Sequence, residues 1–127
     1  MRIINFAHPL TEDNLQEIEA LAGCAVLEVI DVPSQVDLAS PLEPQLSSRL
    51  DELDFSPREW QTVPLLLNLP SLSCSAAVVL ALVHGRAGYF PPVLRLAPET
   101  GSVVTRFKVV EILNLQAIRE RARGKRY

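Results

Sequence analysis

Two short stretches of this chain bring together residue types that can hold or transform an anion. In Asn5-Phe6-Ala7-His8-Pro9, an apolar run ends in asparagine and passes through a histidine. In Asn68-Leu69-Pro70-Ser71-Leu72-Ser73, a second apolar run ends the same way and opens into serines. Amides, hydroxyls and imidazole are neutral groups suited to phosphate oxygens and nucleobase edges. Imidazole can both donate and accept a hydrogen bond, which makes His8 a candidate functional residue. The candidate ligand contacts are Asn5, Phe6, His8, Pro9, Asn68, Ser71 and Ser73. Each polar residue has a plainer role too: His8 can bond backbone near a helix start, the serines can cap a helix, and Asn5 can brace Asn68.

The stretch "HGRAGYF" (84–90) is a third candidate. Gly85 and Gly88 flank Arg86, whose planar fork suits phosphate; the same pattern also describes a helix C-terminus with its cation at the negative end. Arg95, Arg106 and Lys108 either extend such a basic surface or simply solvate a strand face. No Gly-x-Gly-x-x-Gly follows the first apolar run, and no Walker lysine motif or Gly-x-Ser-x-Gly elbow occurs. With two histidines far apart and no clustered ligand spacing, no metal or other cofactor is expected. Any cleavage would rest on positioning and charge stabilisation.

These residues need elements to position them. Residues 2–6 read as a strand, and Thr11 caps a helix whose first turn carries Glu12 and Asp13. Leu10 staples onto Leu15, the buried stripe is Leu15, Ile18, Leu21 and Ala22, and Gly23 ends the helix. A strand follows over 25–30. Ser40 to Glu43 reads as a capping box opening a helix over 41–53, with Leu42, Leu46, Leu50 and Leu53 on one stripe. "SPRE" (56–59) repeats the device ahead of Trp60. Residues 63–69 are apolar on both faces, as a central parallel strand requires. Serines start a further helix that Gly85 can end. Strands over 89–98 and 103–113, joined by a turn at 99–102, make a hairpin. Asn114 then caps a last helix that runs into the basic tail 119–127.

Right-handed crossovers turn this order into one α/β domain over 1–127. The sheet is open and mainly parallel, with about five strands, a C-terminal β-hairpin and helices on both faces. With strand order 2-1-3-4, the switch point lies between the first and third strands, and a ligand belongs outside their carboxyl ends.

Composition narrows the partners. The chain has 127 residues, 48% hydrophobic, and a net charge of −3. Residues 1–63 carry twelve acidic and three basic side chains, and residues 64–127 carry three and nine. That asymmetry suits an anionic partner or subunits whose unlike faces meet; it equally suits solvated helices. Cys24 and Cys74 fit no metal or redox spacing and read as reduced thiols. Met1-Arg2 runs into a short apolar stretch without a cleavage pattern, and the apolar run 76–83 is too short to span a bilayer. The expectation is therefore a soluble cytoplasmic protein with no membrane role. Seven scattered aromatic residues offer no stacking platform, so no long nucleic acid is expected. A protein-interaction module without nucleotide affinity stays open as an alternative.

"INFAHPLT" (4–11), "VIDVP" (29–33), "HGRAGYFP" (84–91) and "EILNLQAIR" (111–119) resemble a small CRISPR-associated accessory family found with type III systems. Its members are discussed among ring nucleases and cyclic-oligoadenylate-binding proteins. The resemblance covers nearly the whole chain. It implies a Rossmann-like homodimer, or a higher homo-oligomer, that binds a cyclic oligoadenylate, cyclic tetra-adenylate foremost, and dampens signalling by sequestering it. A ligand with rotational symmetry suits a two-fold interface. The enzymatic alternative is a metal-independent ring nuclease in which a ribose 2′-hydroxyl of the ligand attacks, with His8 as acid. Asn5, His8 and Arg86 are the positions to which the resemblance extends as candidates.

Overall fold

Strand β1 (Arg2–Asn5) buries Ile3 on one face and Ile4 on the other, and β3 (Leu65–Asn68) does the same with Leu66 and with Leu65 and Leu67. Strands apolar on both faces belong in the middle of a parallel sheet, and there they lie. The computed structural model, which describes residues 1–127, has a five-stranded sheet of order β2-β1-β3-β4-β5. The remaining strands are β2 (Glu28–Asp31), β4 (Val93–Pro98) and β5 (Phe107–Leu113). All neighbours are parallel except β4 and β5, which form an antiparallel hairpin. The expected α/β, Rossmann-like open sheet is present.

Helix α1 (Glu12–Ala22) covers one face, where Ile18 joins Ile3, Leu66, Leu94 and Val109. Helices α2 (Leu42–Asp51), α3 (Pro57–Thr62) and α4 (Ser73–Ala87) cover the other. Their Leu46, Leu50, Trp60, Val79 and Val83 meet Ile4, Phe6, Leu65 and Leu67 in the larger cluster. Burying such a side chain contributes about 1.5–3 kcal/mol before entropy is counted, so both faces hold β1 and β3 in place. Helix α5 (Leu115–Arg123) and a closing 3-10 turn (Gly124–Arg126) bury no residue fully. No helix is long and apolar enough to cross a membrane.

Several local expectations are corrected. Helix α4 runs through Gly85 and ends at Gly88, which alone of the two has positive φ (84°). The buried row Ser75, Val79, Val83 and Ala87 carries the helix past Gly85, because stopping there would leave Ala87 off the sheet. The capping box at Ser40 does not form. Ser40 Oγ donates to Asp37, and Gln45 folds its amide back onto the carbonyls of Asp37 and Pro41 instead. The box at Ser56 does form, as does the Thr11 cap, with Asn14 in the reciprocal position. Leu21 and Ala22 are exposed, since α1 drifts off the sheet in its last turn; Asn14 occupies the buried position one turn before Ile18. β2 begins three residues later than expected and β5 four, at Glu28 and Phe107.

Candidate functional site

The in-line register pairs Asn5 with both Asn68 and Asp31, so three strands end at one level. Asn5 is 1% exposed, and its amide is fully used. Nδ2 donates to the His8 carbonyl (3.0 Å) and to Asp31 Oδ1 (2.9 Å). Oδ1 accepts from the Ala7 N–H (3.1 Å) and from Asn68 Nδ2 (2.9 Å). A buried amide satisfied four ways fixes the path of the chain around it. Asn5 therefore holds the β1–α1 loop, and with it His8, against the end of β3. The bracing bond between Asn5 and Asn68 is the plainer of the two roles open to Asn5.

That network also fixes which way Asn68 turns. The Ala7 N–H requires an acceptor, so Asn5 presents oxygen there and Asn68 must present nitrogen to it. Asn68 Oδ1 is left without a hydrogen bond, on a residue 6% exposed that lines the cavity described next.

An open cavity of about 1010 Å³ lies at this edge of the sheet. The β1–α1 loop contributes His8 and Pro9, the β3–α4 loop Ser71, α1 Asp13 and Glu17, and the hairpin Arg106 and Phe107. Asn14, buried, ties two of these walls together. Its Oδ1 accepts from the Thr11 N–H (3.0 Å), and its Nδ2 donates to the Phe107 carbonyl (2.9 Å) and to Glu17 Oε1 (3.2 Å). The His8 and Phe107 rings lie 6.4 Å apart, centre to centre, at 21°. The His8 ring makes no hydrogen bond, and Arg106 enters no ion pair.

Helix α4 starts two residues after Ser71 without a side-chain cap and without an acidic residue in its first turn. Its first intrahelical N–H to find a carbonyl is that of Ala76, on Leu72. The N–H groups of Ser73, Cys74 and Ser75 are thus unspent, at the positive end of a fifteen-residue helix. Neither Ser71 nor Ser73 acts as its cap.

Of the residues singled out in the sequence, the cavity brings together His8, Pro9, Asn68 and Ser71. Asn5 lies beneath them as a brace. Phe6 is 1% exposed and belongs to the larger core cluster. Ser73 is exposed in the first turn of α4 and does not line the cavity. Arg86 is elsewhere: α4 rises about 1.5 Å per residue, which puts it at the far end of the helix, toward the opposite edge of the sheet. There it pairs with Asp51 (2.8 Å), bonds Ser47 Oγ (3.1 Å) and lies over the Trp60 ring (5.5 Å). Arg86 joins α2, α3 and α4.

Sequence reasoning does not single out Asp13, Asn14, Glu17 or Phe107 as site residues. The available signal is Asn14 itself, an amide at the third position of a capped helix, where its side chain can turn back. No group of His, Cys, Asp and Glu residues is arranged to hold a metal. No protein-family model, curated protein or solved structure matches this chain.

Proposed function

We propose that this protein binds a cyclic oligoadenylate, cyclic tetra-adenylate in particular, and dampens type III CRISPR signalling by sequestering it. The observation that supports this most is the open cavity of about 1010 Å³ at the carboxyl ends of β1 and β3. Small-ligand sites span about 300–1,000 Å³, so the cavity suits a ligand of several nucleotides better than a single one. Arg106, the His8 ring and the Ser71 hydroxyl, all of which line the cavity, suit phosphate oxygens. The family resemblance supplies the ring and the adenylate. A homodimer would present two such cavities about a two-fold axis, and a ligand bridging copies would make affinity depend on protein concentration. The reading is cytoplasmic, in keeping with the free thiols Cys24 and Cys74.

Sequestration is favoured over ring opening by one feature of His8. Its ring is not hydrogen-bonded to any group that would orient it for proton transfer. Incubation of labelled cyclic tetra-adenylate in tenfold excess tests both halves of the proposal. Sequestration predicts stoichiometric retention on a filter with intact ring in the unbound remainder. Progressive conversion to linear product would establish the ring nuclease instead, and no retention would remove the nucleotide reading altogether.

A further inference from the structure

The cavity has a second chemical character that phosphate does not explain. Asp13, Glu17 and Glu99 all line it, and none is paired with a cation. Asn68 adds an unpartnered carbonyl oxygen. A site for an anion alone would not carry three carboxylates without a cation beside them, since each repels phosphate at close range. Acceptors in this number call for hydrogen-bond donors on the ligand.

Two of the carboxylates, Asp13 and Glu17, lie on α1 and line the cavity together with the aromatic pair. Glu17 Oε1 accepts from Asn14 Nδ2, and the same nitrogen donates to the Phe107 carbonyl. Asp13 is four residues before Glu17, so both point from one side of α1. Glu17 thus lies against the strand end that carries the Phe107 ring, and Asp13 lines the same cavity one helical turn earlier. That ring, 43% exposed, faces His8 at 6.4 Å and 21°. Direct aromatic pairs span centre distances of about 4.5–7 Å, so this one is near its outer limit. Two successive carbon contacts need about 7 Å, so a small outward turn of either ring admits a planar ring between them.

We infer that His8 and Phe107 form the stacking walls of a base subsite, and that Asp13 and Glu17 accept its exocyclic amine, selecting adenine over hypoxanthine. This rests on the nucleotide reading above and assigns that ligand's specificity to α1 and the hairpin. Hypoxanthine has the same shape and stacks as well, but places a carbonyl where adenine carries its amine. The carboxylates would then meet an acceptor. Losing a hydrogen bond to a charged acceptor changes affinity by about tenfold or more.

The experiment compares AMP and IMP by isothermal titration or NMR shift perturbation, with cyclic tetra-adenylate alongside. The wild type should prefer AMP about tenfold. The double variant Asp13→Asn, Glu17→Gln should lose that preference while staying folded, because the side-chain amide oxygen it places on α1 can still accept from Asn14. Phe107→Leu should weaken AMP and IMP alike, by about fivefold or more, and Phe107→Tyr should restore both. Equal binding of AMP and IMP by the wild type overturns the inference even where cyclic tetra-adenylate binds tightly. So does a preference that survives in the double variant. AMP preferred over IMP with no affinity for cyclic tetra-adenylate would instead sustain the base subsite and overturn the macrocyclic ligand.

Discussion

Replacing Asn5 by Leu lowers stability by about 3 kcal/mol, roughly 10 °C in melting temperature for a domain of this size, and weakens ligand binding at least tenfold. Leucine approximates the size of asparagine but makes none of its four hydrogen bonds. The Asn68 amide, on a buried residue, then loses its only acceptor. The loss in affinity follows from geometry: the His8 carbonyl is released from its tether, and the β1–α1 loop no longer holds the imidazole opposite Phe107. Denaturant melts and titration below the transition measure the two effects separately. Unchanged affinity in folded Asn5→Leu would mean that the loop keeps its shape without the amide.

Trp60→Ala has as large a thermodynamic effect and a different functional one. Trp60 is buried, packs edge-on against Phe55 at 5.0 Å and supports the Arg86 guanidinium. Truncating a buried tryptophan costs about 3–5 kcal/mol, a large part of the 5–15 kcal/mol that holds a typical domain together. Yet Trp60 lies on α3, just before the start of β3, whereas the cavity lies beyond its end. Affinity measured at low temperature, where the variant stays folded, should match the wild type within about twofold. The two substitutions together separate support of the fold from support of the cradle.

The part of this arrangement that is visible in the sequence is the part set by local pattern. Two apolar runs each ending in asparagine mark the strands that meet at the switch point, and the Thr11 cap marks the helix that follows. The position of Arg86 is obscured by the ambiguity of one helical turn. Gly85 and Gly88 are both plausible stops, and only the buried row ending at Ala87 decides between them. The far wall of the cavity has no local signature. Phe107 reaches Asn14 across 93 residues, through a hairpin whose register shifts between Arg95 and Leu96. Such a bulge re-aims the strand that bears it, and no periodicity along residues 103–113 specifies which side chain it brings over α1. Carboxylates on α1 likewise read as solvated surface until the hairpin is placed beside them.

On the proposed function the ligand sits at the carboxyl ends of β1 and β3. Titration of cyclic tetra-adenylate into isotopically labelled protein, followed through backbone amide resonances, tests this directly. The largest shifts are expected at Ala7, His8, Leu10 and Thr11, at Asn68 and Ser71, and at Arg106 and Phe107. Shifts centred on Arg86 and Trp60, or confined to the basic helix α5, would contradict it.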